Sequence, residues 1–190
     1  MSAMVLNAND REVIEGCQRG DREAFRVLFE EHKDRVYSIA LRYSGNAASA
    51  LDIAQECFLK LLSSMHSFRE DASFDSWLYR IVVNTCLDHQ RKGRRFLPIV
   101  EDLFDLLRSG SDTILHELLL AEFKQDVQQA VAKLSADHRM VVILRYTEGL
   151  SYEQIAEIMG CSAGTVASRL NRAHKILSRR LSHLRAGNGR

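Results

Sequence analysis

The sequence predicts an all-α protein in which two small helical domains are joined by a flexible linker. Apolar residues recur at three- and four-residue steps through most of the 190-residue chain, as amphipathic helices require. No segment shows the convincing alternation of apolar and polar residues that is typical of a half-buried strand. The only proline, Pro98, opens a stretch with six acidic and two basic residues at 96–125. Because proline prevents a helix from continuing, we interpret this acidic stretch as the linker.

The N-terminal unit, which we assign to 9–95, contains three strongly periodic segments. The first is bounded by Gly-Asp at 20–21 and Gly-Asn at 45–46, the second covers 49–65, and the third runs from 74 into the basic string RKGRR at 91–95. Each apolar stripe covers one side of its helix, so we expect the three helices to pack together around a shared core.

The C-terminal unit, which we assign to 126–186, begins with a helical run for which Ser135 is the predicted N-cap. The side chain of an N-cap serine accepts a backbone N–H that the first turn leaves without a partner. The partly β-branched run MVVIL at 140–144 lies inside this helical pattern. We therefore predict a helix there and no strand.

A helix-turn-helix is predicted next, from its capping residues. Ser151 and Gln154 form an S-x-x-Q capping box, which sets a helix start at 152. Gly160 suits a left-handed helix end, and Ser162 can cap a second, longer helix that begins near 163. A short helix, a tight turn and a longer helix are the parts of this motif.

The second of these helices has a face suited to DNA. Opposite its apolar stripe, the side chains are short near the start and basic further on: Ser168, Asn171, Arg172 and Lys175, with Arg169 at the edge. No acidic residue occurs between 158 and 190. Arginine can contact guanine edges, asparagine can contact adenine, and basic groups bind phosphates. An antiparallel helix pair with a solvated face is the alternative, but pattern, turn and charge together favour DNA binding.

Several classes of function find no support in the residue types. The four cysteines, Cys17, Cys57, Cys86 and Cys161, form no CxxC pair, so we expect free, mostly buried thiols in a reducing compartment. Cys86 and His89 have metal-like spacing, but no second pair completes a site. We find no nucleophile–base pair and no glycine-rich phosphate loop, and we expect no metal, no cofactor and no enzymatic activity.

Membrane association also finds no support in the sequence. The N-terminal segment has no signal-peptide apolar region, and no apolar run approaches the length that spans a bilayer. We therefore expect a cytoplasmic protein without membrane insertion.

Three segments, taken together, resemble one family. They are DIAQECFLKLL at 52–62, SFREDASFDSWLYRIVVNTCLDHQRKGRR at 67–95 and LRYTEGLSYEQIAEIMGCSAGTVASRLNRAHKIL at 144–177. In order and spacing they are similar to the bacterial extracytoplasmic-function (ECF) sigma factors of the sigma-70 family, over about 9–185. The resemblance implies a sigma-2 helical bundle and a sigma-4 helix-turn-helix domain joined by a linker that threads into RNA polymerase. For the linker, an undistinguished tether is an equal alternative.

On the 49–65 helix, the resemblance implies a site for core polymerase. Asp52, Gln55 and Glu56 point away from the apolar stripe, and in the family the matching face binds a coiled coil of the β′ subunit. An acidic, amide-bearing face suits a basic helical partner. A merely solvated helix face is the alternative.

For the −10 promoter element, the matching positions are Phe68, Trp77, Arg80 and Asn84. Aromatic stacking and a polar pocket can hold an unpaired base outside the duplex. Phe68 precedes a polar loop, where packing explains an aromatic residue less readily, whereas Trp77 is also a candidate core residue. The basic string that starts at Arg91 is interpreted as a phosphate clamp, with a solvated linker start as the alternative.

For the −35 element, the resemblance implies that Ser168, Arg169, Asn171, Arg172 and Lys175 face the major groove. This chain departs from the family at Ala167, where relatives usually carry lysine or arginine, and at Ser-Ala 162–163. We expect the docking mode to be retained and the −35 preference to differ. Arg169, at the edge, can instead form a salt bridge with the core side.

The favoured function is therefore a promoter-specificity subunit of RNA polymerase. Its implied partners are core RNA polymerase, through the β′ and β subunits, promoter DNA and an anti-sigma factor. The main alternative is a helix-turn-helix transcriptional regulator that binds duplex DNA without being a polymerase subunit. A helical adaptor that binds only proteins is the third class. The joint presence of 52–62 and 67–95 favours the first.

Overall fold

The computed structural model describes residues 8–69, 73–91 and 126–182, and all regular elements in these ranges are helical. They are α1 (Ala8–Gln18), α2 (Arg22–Ser44), α3 (Ala47–Ser64), a 3₁₀ turn (Met65–Ser67), α4 (Phe74–Arg91), α5 (126–132), α6 (Ala136–Tyr146), α7 (Tyr152–Met159) and α8 (Ala163–Arg180). The all-α prediction is confirmed. The predicted linker at 96–125 lies outside the described residues.

Short polar side chains set the ends of the N-terminal helices. The Asp21 carboxylate accepts the Glu23 N–H at 2.8 Å and begins α2. Gly45 ends α2 with φ of 70°, a left-handed conformation that glycine adopts at little cost. Asn46 then caps α3 by accepting the Ser49 N–H at 2.7 Å. The predicted boundary between these helices is therefore confirmed, and α3 begins two residues before the predicted 49.

The core of the N-terminal unit lies between α2, α3 and α4, which all contact one another. Side chains that are almost fully buried line it on each helix: Ile39 on α2, Ile53 and Leu61 on α3, Val82 on α4. The helix α1 packs against α2 and against the 3₁₀ turn. Within the N-terminal unit, this packing leaves one side of α3 and one side of α4 uncovered.

The C-terminal unit contains the predicted helix-turn-helix. Ser151 and Gln154 form the complete capping box, and Gly160 ends α7 with φ of 61°. Ser162 caps α8 by accepting the Thr165 N–H at 3.1 Å. These local predictions are confirmed, and the turn between the helices has the predicted extent.

One capping prediction is wrong in its detail. Ser135 occupies the N-cap position of α6, but its side chain accepts no backbone N–H. Its hydroxyl lies 2.7 Å from Nδ1 of His138, one turn further on. The imidazole therefore takes the hydrogen bond that the backbone was expected to make.

The two units pack directly against each other. Their buried apolar side chains form one continuous cluster, because α6 contacts α2 and α4, and α7 lies against α4. None of the described helices combines the length and the apolar character that crossing a bilayer requires.

At the centre of this contact, Arg139 of α6 is 2% exposed. Its Nη1 donates to the Tyr43 carbonyl of α2 at 2.7 Å, and its Nη2 donates to the carbonyls of Leu134 and Ala132. The guanidinium carbon also lies 5.3 Å from the centre of the Tyr43 ring, within range of a cation–π interaction. Burial lowers the pKa of Arg139, yet arginine stays protonated in proteins, so a charged group joins the two units.

Candidate nucleic-acid interface

The outer face of α8 is polar and open to solvent. Ser168, Asn171, Arg172 and Lys175 are all exposed, while Val166, Leu170 and Ala173 on the opposite side are buried. The Ser168 hydroxyl donates to the Thr165 carbonyl at 2.9 Å, which keeps this side chain close to the helix. A duplex could therefore approach the start of the face closely, with the two basic residues reaching phosphates or base edges further on.

Arg169 differs from its neighbours because it contacts α6. Its Nη2 lies 2.9 Å from the Asp137 carboxylate, and its side chain is 24% exposed. The salt bridge that the sequence left as an alternative is therefore formed. On the other edge of α8, Nε2 of His174 lies 2.7 Å from the Tyr146 hydroxyl. These two contacts hold α8 against both ends of α6, and so fix the direction in which its outer face points.

Phe68 lies inside an aromatic cluster. Its ring is 5% exposed, and its centre lies 5.6 Å from that of Phe74 and 5.0 Å from that of Trp77. These are the separations of packed aromatic pairs. The expectation that packing would explain this aromatic residue less readily is therefore wrong, because the Phe68 ring packs against the start of α4.

Trp77, Arg80 and Asn84 follow one another at steps of three and four residues on α4, so they share one side of it. Trp77 is half-buried, and Arg80 and Asn84 are exposed. The Arg80 guanidinium lies 3.8 Å from the Glu157 carboxylate of α7. Arg91, at the end of α4, lies 3.4 Å from Asp88. The rest of the basic string, 92–95, is outside the described residues.

On α3, Asp52 and Gln55 are exposed and Glu56 is partly exposed. The Glu56 carboxylate lies 3.0 Å from the Lys60 ammonium, and the same ammonium donates to the Thr85 hydroxyl on α4 at 3.1 Å. The acidic face is thus joined to α4 through Lys60.

Sequence reasoning missed an apolar row beside this acidic face. Leu51, Leu59 and Leu62 are 54%, 67% and 49% exposed. With Gln55 they follow at steps of four, four and three residues, so they form one row along α3. The signal in the sequence was the presence of leucines on α3 outside the stripe of that helix that is buried.

Sequence reasoning also missed a pair of side chains that joins the two units. The Tyr79 hydroxyl of α4 donates to the Glu148 carboxylate at 2.9 Å. Burial, and then the negative charge of Glu148, raise the pKa of Tyr79, so it remains a donor. The signal in the sequence was a set of apolar positions on α4, formed by Tyr79, Val83 and Cys86, which are all buried.

The cysteines are free, as predicted: Cys17, Cys57 and Cys86 are buried, and Cys161 is partly exposed. Burial raises the pKa of Cys57 to about 12 and that of Cys86 well above its usual value, so both remain thiols at neutral pH. Among the described residues, no group of three His, Cys, Asp or Glu side chains could hold a metal ion.

Comparison with known proteins adds family matches on both units. The family model described as Sigma-70 region 2 matches residues 28–96, and that described as Sigma-70, region 4 matches residues 124–177. The RNA polymerase sigma-H factor of Pseudomonas aeruginosa is 34% identical over 95% of this chain and 98% of its own length. The ECF RNA polymerase sigma-E factor of Haemophilus influenzae is 36% identical over 95% of this chain and 100% of its own.

Solved structures agree with these sequence matches. CnrH, in complex with the cytosolic domain of CnrY, matches with a TM-score of 0.67 and 25% identity, over 92% of this chain and 97% of its own. The sigma factor RpoE of Bartonella quintana, in complex with the anti-sigma factor NepR, matches with a TM-score of 0.65 and 28% identity, over 83% and 96%. With both regions matched and relatives aligned over nearly their whole length, this chain belongs to the ECF group of sigma-70 family RNA polymerase sigma factors.

Proposed function

We propose that this sigma factor divides promoter-specific initiation among three helix faces. The acidic face of α3 binds core polymerase, the Trp77–Asn84 side of α4 holds the opened −10 element, and the outer face of α8 reads the −35 element. The observation that carries the proposal is that all three faces reach solvent on separate helices, while the opposite sides of those helices form the core. We infer that the chain performs no catalysis itself and works in the cytoplasm, where the polymerase acts.

The chemistry of α3 suits a helical partner. Asp52 and Glu56 offer carboxylates, and the row of Leu51, Leu59 and Leu62 offers apolar area beside them. Apolar centres rimmed by charged groups are typical of protein interfaces. A basic helix with its own apolar side, such as one strand of a coiled coil, would satisfy both parts of this surface.

The charge-reversing pair Asp52→Lys and Glu56→Lys tests the polymerase site. We expect affinity for core polymerase to fall by more than about tenfold, because like charges placed opposite each other cost several kcal/mol. The pair Glu31→Lys and Asp34→Lys is the matched control, since it makes the same charge change at exposed positions of α2. An equal loss of affinity in the two double variants would reject the α3 face as the polymerase site. So would undiminished binding by a folded variant that carries Asp52→Lys and Glu56→Lys.

An anti-sigma factor is the further partner that we propose, supported by the complex of the Bartonella quintana sigma factor with NepR. Such a partner would have to cover at least one of the three faces. Competition between it and core polymerase in a pull-down would test this.

The face of α8 gives two separable expectations for binding to a randomised duplex library at two salt concentrations. Lys175→Ala should weaken binding to all sequences alike and reduce the salt slope by about one unit, as loss of one phosphate contact does. Arg172→Ala should cost about 1–3 kcal/mol and relax preference at one position if it reads a base.

Two further variants sharpen the −35 test. Ala167→Arg should raise affinity mostly without specificity, because it adds a basic group beside the same face. Arg22→Ala, which removes one exposed charge from the other unit, is the control. If the three α8 variants bind DNA like this control, the helix does not face the duplex.

A further inference from the structure

Two polar contacts from α1 and α2 hold residues around Trp77. The Gln18 amide, at the end of α1, donates to the Phe68 carbonyl at 3.0 Å. The Arg35 guanidinium of α2 lies 3.0 Å from the Asp75 carboxylate in the first turn of α4. Neither Gln18 nor Arg35 has a role in the function proposed above, so both contacts require an explanation of their own.

Both contacts involve the immediate surroundings of the Trp77 ring. The centre of this ring lies 5.0 Å from that of Phe68 and 5.8 Å from that of Phe74. Phe68 carries the carbonyl that Gln18 binds, and Phe74 is the residue before Asp75 in the chain. A shift of the chain at either contact would therefore displace an aromatic ring against which Trp77 packs.

The ion pair of Arg35 and Asp75 attaches the start of α4 to α2. Within the first turn of α4, the Ser73 carbonyl accepts the Trp77 N–H at 3.1 Å, which fixes the backbone of that turn only locally. The side chains of Arg35 and Asp75 are 39% and 24% exposed. The guanidinium carbon also lies 5.9 Å from the centre of the Tyr79 ring, within range of a cation–π interaction. The first turn is thus held to the neighbouring helix by two contacts of one side chain.

We propose that Gln18 and Arg35 are positioning residues for the −10 element, which hold the Trp77 ring in the orientation that stacks on an unpaired base. This inference rests on the proposed assignment of the −10 face to α4. Asp75 precedes Trp77 by two residues and so points to another side of the helix. Arg35 therefore acts through the Asp75 carboxylate and does not touch the base. A ring that its neighbours already hold in place loses less conformational freedom when DNA binds, which raises the affinity.

Trp77 is the only tryptophan of the chain, so intrinsic fluorescence reports the surroundings of this ring in the full-length protein without DNA. Gln18→Met and Arg35→Met should each shift the emission maximum to longer wavelength and increase quenching by acrylamide, because the ring loses packing against Phe68 or Phe74. The melting temperature should fall by no more than about 3 °C, because partly exposed polar contacts contribute little to stability. Unchanged emission in both variants would overturn the proposal.

Binding of a single-stranded −10 oligonucleotide by the assembled holoenzyme measures the effect on recognition. Each variant should bind about threefold more weakly and the double variant about tenfold, the factors that correspond to the loss of one and of two weak polar contacts. Lys33→Met and Arg19→Met are the matched controls, because Lys33 pairs with Glu30 within α2 and Arg19 is the exposed neighbour of Gln18. Equal losses in variants and controls would overturn the proposal in favour of general electrostatics.

Asp75→Ala separates positioning by Arg35 from a direct contact between Arg35 and DNA. If Arg35 acts through the Asp75 carboxylate, Asp75→Ala should weaken oligonucleotide binding as much as Arg35→Met does. If Arg35 instead binds a phosphate, Asp75→Ala should strengthen binding, because it frees the guanidinium and removes a negative charge. Stronger binding by Asp75→Ala would therefore contradict the positioning role of Arg35.

One further variant separates failure of this inference from failure of the −10 assignment. If the emission of Trp77 changes in the positioning variants but oligonucleotide binding does not, Asn84→Ala is measured in the same holoenzyme. A loss of binding in Asn84→Ala would keep α4 as the −10 reader and overturn only the positioning role. No loss would overturn the assignment of the −10 element to α4, and the positioning role with it.

Discussion

Arg139→Ala is expected to lower the free energy of unfolding by about 3 kcal/mol, because buried carbonyls left without a donor cost about 1–3 kcal/mol each. The variant removes the donors to the carbonyls of Tyr43, Leu134 and Ala132. The carbonyls of Tyr43 and Leu134 are buried, whereas water can reach that of Ala132, so the loss corresponds to about two such costs. Urea unfolding of the full chain, followed by circular dichroism, measures it.

The control for this prediction is Arg172→Ala, an exposed position at which the change should stay within about 0.5 kcal/mol. Arg139→Lys should fall between the two, because lysine keeps the charge without the planar fork of donors. Equal stability of Arg139→Ala and Arg172→Ala would mean that the buried guanidinium does not hold the two units together.

Asn84→Ala and Trp77→Ala are expected to reduce strand opening by about tenfold when assembled with core polymerase. Trp77 would lose a stacked base, which contributes about 1–3 kcal/mol, and Asn84 would lose hydrogen bonds to a base held outside the duplex. Permanganate reactivity of promoter thymines measures the opened strand. Arg172→Ala should have the opposite profile, weakening duplex −35 binding more than opening. Normal opening in both α4 variants would reject the assignment.

Trp77→Ala needs a separate measurement of stability. The ring is half-buried and packs against Phe68 and Phe74, so its truncation should also cost about 3 kcal/mol of unfolding free energy, the lower end for large aromatic residues. Asn84 is exposed and makes no such packing, so its variant should melt like the parent chain. Loss of opening in Asn84→Ala at unchanged stability is therefore the decisive result.

Local signals explain why the helices could be predicted. Capping depends on neighbours within four residues, as at Asp21, Ser151 and Ser162, and glycine is favoured wherever φ is positive, as at Gly45 and Gly160. The prediction that the Ser135 side chain caps α6 was wrong because His138, three residues further on, offers the Ser135 hydroxyl a competing partner. Side-chain competition of this kind leaves no trace in a capping pattern.

The contact between the units could not be predicted because it joins distant residues. Arg139 meets a carbonyl 96 positions earlier, and Tyr79 meets a carboxylate 69 positions later. Periodicity shows that a helix has an apolar side, but it does not show what covers that side. The same limit applied to Phe68, which packs onto α4 across a segment that reads as a polar loop.

The hydrogen bond from Arg139 to Tyr43 also has a consequence for synthesis on the ribosome. The acceptor on α2 is made 96 residues before its donor, and at about 5–20 residues per second this delay is about 5–20 s. During that time the N-terminal bundle can fold, with water on the Tyr43 carbonyl and the adjoining side of α4 uncovered. A nascent chain therefore passes through a stage in which α4 is uncovered on that side, and the two units pack together only after the second half has left the exit tunnel.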